Sequence, residues 1–134
     1  MFIHWGSYSL EGRHEWVKKY EVIGDATYKK YFDNFNPDLY NPIEWSKLAK
    51  AAGMKYAVIT TKHHEGFTLF DSDFTEYNST NTHYGKDTLK EWVGAFREEG
   101  LKIRFYYSLI GWNHLEYSID RVHPLKRKKK IIRR

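Results

Sequence analysis

Trp45 recurs as Trp92, and Gly53-Met54-Lys55 recurs as Gly100-Leu101-Lys102, both at a spacing of 47 positions. This repeat constrains the fold more than any other feature. Each unit reads as a helix, a glycine stop and a strand. In the first, Asn41 stands where an N-cap belongs, Pro42 suits the first helical position, and Glu44 is placed as the capping-box acid. Trp45, Leu48, Ala49 and Ala52 then follow the i, i+3, i+4, i+7 spacing of one apolar face. In the second, a helix starts near Asp87 and carries Leu89, Trp92, Val93 and Phe96 on its apolar face. Gly53 and Gly100 end the two helices. Strands are expected over Lys55 to Thr61 and Lys102 to Ser108, and a further one at Phe2-Ile3. The run Tyr56-Ala57-Val58-Ile59-Thr60-Thr61 is continuously apolar or β-branched, as in a parallel strand covered on both faces. Helix and strand in succession imply right-handed crossovers and a parallel sheet.

A doubly wound sheet and a (β/α)8 barrel both accommodate these units. The barrel is favoured because polar and aromatic residues follow each expected strand: His4, then His63 and His64, then Tyr106, Ser108 and Trp112. Barrel sites are assembled from several strand ends in this way. The region from Leu10 to Tyr40 is read as a long first loop holding one short helix, Asp25 to Phe32. Loops of that length in a compact domain are usually functional. A complete barrel needs roughly 200 to 400 residues, and this chain has 134. The expected fold is therefore α/β, a partial (β/α)8 TIM-like barrel with the first three βα units only. It occupies residues 1–125 and is followed by a basic tail, 126–134. Marginal stability and self-association are expected, because a barrel's core layers draw side chains from all its strands.

Charge and composition exclude several classes. The formal net charge is +5, but seven of the 22 basic residues lie in 126–134, leaving 15 basic against 17 acidic residues elsewhere. A terminal charge run is usually a solvated segment, so a nucleic-acid partner is not expected. There are no cysteines, which excludes disulfides, Cys-based zinc sites and a thiol nucleophile. No apolar run is long enough to span a membrane. The start Met1-Phe2-Ile3-His4 shows no signal-peptide pattern, so a cytoplasmic location is the default expectation.

The chemistry concentrates in Lys62-His63-His64-Glu65-Gly66-Phe67 and His4-Trp5-Gly6. Histidines and aromatics at strand ends suit a sugar site or a metal site, and structural histidines remain a third reading. His63 and His64 are adjacent, so they are expected to point to opposite sides and chelate poorly; no metal and no cofactor are expected. A sugar offers hydroxyl donors and acceptors and one apolar face. Imidazoles and carboxylates satisfy the first, and Trp or Tyr the second. Lys62 is expected to pair with a carboxylate and hold the loop. Trp45, Trp92 and Phe96 are read as core, and Trp5 as either core or pocket.

These residues carry a resemblance. Phe2-Ile3-His4-Trp5-Gly6, His14-Glu15-Trp16, Trp45, Ala52-Gly53-Met54-Lys55-Tyr56, Thr61-Lys62-His63-His64-Glu65-Gly66-Phe67 and Phe105-Tyr106-Tyr107-Ser108 are similar to glycoside hydrolase family 29, the α-L-fucosidases. The likeness runs from residue 2 to about residue 124. It implies a retaining glycosidase on a (β/α)8-like barrel, acting on fucosylated glycans or fucosides. It implies that His4, His63 and His64 bind fucose hydroxyls, that Glu15 accepts hydroxyl hydrogen bonds, and that Trp16 packs on the sugar. Tyr106 resembles the tyrosine facing the reacting carbon, and Trp112 lies close to the pocket in the family. The family's nucleophile is an Asp at the end of the fourth strand, with the acid/base further on. No Asp or Glu here occupies either position, so the chain is expected to bind without catalysing.

A non-catalytic fucose-binding module and an inactive truncated product are the alternatives, and a second chain or a read-through product could complete the barrel. Three positions depart from the family pattern: Arg104 for a small residue, Gly111 for Asp, and Asn113 for His. By strand alternation Arg104 shares a face with Tyr106 and would enter the barrel lumen, where an unpartnered guanidinium is costly. Lys126 to Arg134 does not continue the resemblance; Lys, Ile and Arg can all be written with A-rich codons, and a disordered or frame-shifted tail is expected there.

Overall fold

The computed structural model describes residues 1–119 and 121–125. The segment 126–134, with the expectation of a disordered or frame-shifted tail, lies outside the described residues.

Three parallel strands form one sheet: β1 (Phe2–Ile3), β2 (Tyr56–Lys62) and β3 (Lys102–Tyr107), in the order β1-β2-β3. Phe2 lies opposite Val58, and Val58 opposite Arg104; Thr60 lies opposite Tyr106. A bulge between Thr60 and Lys62 shifts the register before β2 ends. Four helices cover the connections: α1 (Val17–Tyr20), α2 (Asp25–Asp33), α3 (Pro42–Ala51) and α4 (Thr88–Glu98). Short 3-10 turns occupy Ser7–Glu11 and Ser79–Asn81. The long first connection therefore holds three helical segments rather than the single one expected.

The two repeated units form as their local signals dictate. Asn41 accepts from the Glu44 amide at 3.1 Å, and Asp87 accepts from the Lys90 amide at 2.7 Å, so each helix begins with an orphan donor satisfied. Gly53 and Gly100 take φ +74° and +70°, the left-handed conformation that closes a helix without a Cβ penalty.

The main core lies between the sheet and α3 and α4. Ala57 and Ile59 of β2 meet Trp92, Ala95 and Phe96 of α4 and Ala49 of α3, together with Phe35, Phe67 and Leu69. Trp92 and Phe96 are stacked at 4.3 Å and fully buried. Trp45 packs against this core, and so does Trp5, whose ring sits 5.1 Å from Tyr40 and 5.8 Å from Phe35. Trp5 is thus a core residue.

The apolar face expected on α3 is rotated. Ala49 and Ser46 are buried, whereas Leu48 is 60% exposed and Ala52 is exposed. Spacing locates a stripe on a helix, but the sheet lies to one side of that stripe and covers only part of it.

Strand β3 is one edge of the sheet, and Phe105 and Tyr107 are half-exposed on it. Arg104 is exposed too, and its guanidinium reaches only the Ile103 carbonyl, 2.9 Å away. The burial cost expected for it does not arise here, since Phe2 and Arg104 on that row are exposed among the described residues.

Candidate functional site

Parallel strands bring their C-terminal ends to one edge of the sheet. His4 follows β1 directly, His63, His64 and Glu65 follow β2, and Ser108 follows β3, with Trp112 four positions later. Glu15 and Trp16 arrive from the turn that opens α1. That turn is seated by a second apolar cluster of Tyr8, Val17, Tyr28 and Tyr31.

Two of the three histidines are tied down through Nδ1 by hydroxyls of the framework, and the third has a carboxylate beside its Nδ1. His4 Nδ1 lies 2.9 Å from Thr60 Oγ1, in the middle of the neighbouring strand. His64 Nδ1 lies 2.6 Å from Ser108 Oγ at the end of β3. His63 Nδ1 lies 3.3 Å from Glu65 Oε2, a contact not aligned as a full hydrogen bond, and both groups are buried. Anchoring one ring nitrogen leaves the other to address a ligand, the logic by which a supporting residue fixes an imidazole's orientation.

The rings form one cluster. His63 and His64 are 4.1 Å apart, His4 is 5.0 Å from His63, and Tyr106 lies 6.1 Å from His63 and 5.8 Å from His4. Trp16 meets His64 edge-on at 4.6 Å, and Trp112 lies 5.4 Å from His64 and 5.5 Å from Trp16. The cluster grades from exposed His4, through half-buried Glu15, Trp16 and Tyr106, to buried His63, His64 and Trp112.

Lys62 holds the third strand end in place. Its Nζ donates to the carbonyls of Ser108 and Ile110, each at 2.8 Å, and lies 5.0 Å from the Tyr107 ring. The Trp112 amide donates to the His64 carbonyl at 2.8 Å, closing the loop onto β2. Lys62 does hold the loop, as expected, but through backbone carbonyls rather than a carboxylate. Gly66 permits this closure. It has φ +98°, and a Cβ there would stand 3.0 Å from Asn113 Cβ.

The surroundings push two of the imidazoles, His4 and His64, toward the uncharged form. Burial, then the neighbouring His63, Lys62 and His4, lower the His64 pKa to about 4, against a smaller opposing pull from Glu15. Burial and His63 also lower His4, with Glu15 and Glu65 pulling the other way. Burial lowers Lys62 and, with Glu65 close by, raises the Tyr8 phenol. Uncharged imidazoles can both donate and accept, which suits a ligand rich in hydroxyls.

All seven candidates, His4, Glu15, Trp16, His63, His64, Tyr106 and Trp112, therefore come to one strand-end edge. Six of them are joined by ring contacts, and Glu15 acts on His4 and His64 electrostatically. The expectation that His63 and His64 point to opposite sides fails. Strand β2 ends at Lys62 and the chain turns at His64-Glu65, so strand alternation no longer applies. Sequence reasoning missed Thr60 and Ser108 as anchors, and placed Glu65 near the pocket without seeing that it is fully buried. A hydroxyl residue within β2 and another just after β3 were the available signal. Among the described residues no group of three or more His, Asp or Glu is arranged to hold a metal ion. A separate groove of about 520 Å3 lies between α2 and the segment around Tyr77, and none of the seven candidates lines it.

The sequence model described as Alpha-L-fucosidase matches residues 1–131. Human tissue alpha-L-fucosidase is 33% identical over 143 residues, covering 94% of this chain and 31% of that protein. The structure is similar to alpha-L-fucosidase isoenzyme 1 from Paenibacillus thiaminolyticus, with TM-score 0.91 and 57% identity, over 92% of this chain and 30% of that one. It is also similar to a GH29 alpha-L-fucosidase from Bacteroides thetaiotaomicron, with TM-score 0.84 and 38% identity, over 87% of this chain and 29% of that one. A similar structure, also of a GH29 alpha-L-fucosidase from Bacteroides thetaiotaomicron, is a trapped covalent intermediate in complex with 2-fluoro-fucosyl fluoride. The chain spans about a third of the length of the curated relatives it matches. With the histidine cluster, the sheet order and these likenesses in agreement, the chain belongs to the GH29 alpha-L-fucosidase family.

Proposed function

We propose that this chain forms the first three βα units of a (β/α)8 barrel and supplies the fucose-binding part of a retaining α-L-fucosidase. The observation that carries the reading is the set of three histidines at the ends of β1 and β2, with His4 and His64 anchored through Nδ1, His63 beside the Glu65 carboxylate, and Trp16 and Trp112 as the wall. His4, His63, His64 and Glu15 bind the hydroxyls of a terminal α-L-fucoside. Trp16, Tyr106 and Trp112 pack on its apolar parts.

The chemistry requires two carboxylates about 5 to 5.5 Å apart flanking the glycosidic bond. Glu65 is fully buried beneath His63 and cannot reach a sugar, which leaves Glu15 as the carboxylate at the cluster among the described residues. The nucleophile and the acid/base are therefore assigned to residues outside this chain, from a longer product or a second chain that pairs with the β3 edge.

Two measurements on the purified chain test this. Methyl α-L-fucoside should quench or shift tryptophan fluorescence saturably, and His64→Ala should weaken that binding at least about tenfold, as expected for loss of a buried hydrogen-bonding group. Nitrophenyl α-L-fucoside should release no nitrophenol. Absence of saturable binding would overturn the assignment of the pocket. Turnover would overturn the assignment of the carboxylates.

A further inference from the structure

Glu65 is the one ionisable carboxylate of the described residues that is fully sealed from solvent, and a buried charge needs a reason to be there. Its Oε1 is approached by the Ser7 hydroxyl at 3.4 Å. Its Oε2 stands 3.3 Å from His63 Nδ1, and neither of these two atoms has a hydrogen-bond partner elsewhere. Leaving both unpaired is costly, so a small rotation of the ring that closes the contact is favoured.

The chemistry of this pair differs from that of the other two anchors. Thr60 and Ser108 present hydroxyls, which can donate or accept, so they leave the tautomers of His4 and His64 open. A carboxylate can only accept. We propose that Glu65 is a positioning residue that fixes the proton of His63 on Nδ1 and so makes its Nε2 an obligate acceptor for one hydroxyl of the bound sugar. This rests on the fucoside-binding reading for the identity of the ligand, but the assignment of the proton does not.

The geometry explains why His63 is the one so treated. It stands at the centre of the cluster, with His4 at 5.0 Å, His64 at 4.1 Å, Tyr8 at 5.2 Å and Tyr106 at 6.1 Å. A central ring of undefined tautomer would let the surrounding donors and acceptors adopt several competing arrangements. One fixed acceptor removes that freedom and selects among the hydroxyl orientations of a ligand.

Long-range proton–nitrogen spectra of the chain at neutral pH, without sugar, read the tautomer directly. The expected result is a His63 ring protonated at Nδ1 with a bare Nε2. A proton on Nε2 alone would mean that Glu65 is itself protonated and donates, and it would overturn the inference, as would protonation of both nitrogens. In Glu65→Gln the amide can donate as well as accept, so the Nε2-protonated form should appear while the ring signals of His4 and His64 stay in place. A merely structural role for Glu65 would leave the His63 tautomer unchanged in that variant, which would overturn the inference. Titration with methyl α-L-fucoside separates the two readings. Binding weakened about tenfold by Glu65→Gln supports both, since one lost hydrogen bond is of that order. The expected tautomer with no fucoside binding by the unmodified chain leaves the hold of Glu65 on His63 standing and overturns the proposed function instead.

Discussion

Ser108 Oγ lies 2.6 Å from His64 Nδ1, joining residues 44 positions apart across the ends of two parallel strands. The contact depends on the β2–β3 register. Thr60 faces Tyr106, a bulge follows, and Lys62 then faces Tyr107, so that the turn after β2 meets the exit of β3. The Ile110 amide donates to the same Ser108 oxygen at 3.1 Å, so the hydroxyl is held from both sides.

Ser108→Ala removes the partner of a buried ring nitrogen. It should destabilise the chain by about 1–3 kcal/mol, the usual cost of an unsatisfied buried group. Methyl α-L-fucoside binding should weaken severalfold as His64 gains rotational freedom. Urea unfolding and a fluorescence titration measure the two effects. Unchanged values in both would show that the Ser108 hydroxyl does not hold His64.

Lys62→Met keeps the aliphatic stem but deletes the two bonds to the Ser108 and Ile110 carbonyls. Hydrogen bonds to a charged group contribute about 1.5–3 kcal/mol each, and part of that is offset by the burial that depresses this ammonium. The loop carrying Trp112 should open more often, so amide exchange at Trp112 should accelerate about tenfold or more while exchange in α4 stays unchanged. Equal acceleration in both would mean global destabilisation instead of a released loop.

Stability should depend on the protonation of His64. Its pKa is 6.5 unfolded and about 4 in the fold. Between those values the unfolded chain binds a proton that the folded chain does not, so stability falls as pH drops from about 6.5 to about 4, then levels off for this group. His4, lowered for the same reason of burial, acts in the same direction. Urea midpoints across that range should show the decline, with a shallower slope in His64→Ala. An identical slope in the variant would remove His64 from the account.

Trp92→Ala should cost about 3–5 kcal/mol, because the ring is fully buried and stacked on Phe96. Leu48→Ala, at a position 60% exposed, should shift stability by no more than about 0.5 kcal/mol. The pair separates the two helix stripes that spacing alone treats as equivalent. A loss at Leu48 comparable to that at Trp92 would mean that α3 is covered on its outer face in solution.

What could be read in advance was what neighbours in the chain decide. Asn41 and Asp87 cap helices through amides three residues on, and Gly53 and Gly100 stop them, so α3 and α4 formed where the repeat placed them. The family motifs marked six of the seven cluster residues for the same reason, being contiguous strings, while Trp112 lies outside those strings. Leu48 was misjudged because spacing defines a stripe without saying which side of it meets the sheet. His63 and His64 were misjudged because strand alternation was carried one turn too far.

The sequence by itself determined the α/β class, the order of helix and strand, and the chemical character of the strand ends. Only the tertiary structure decided how the histidines are held. Thr60 reaches His4 across 56 positions and Ser108 reaches His64 across 44. Those pairings exist because backbone register between parallel strands sets which side chains meet, and register is a property of the packed sheet, not of any local stretch of chain.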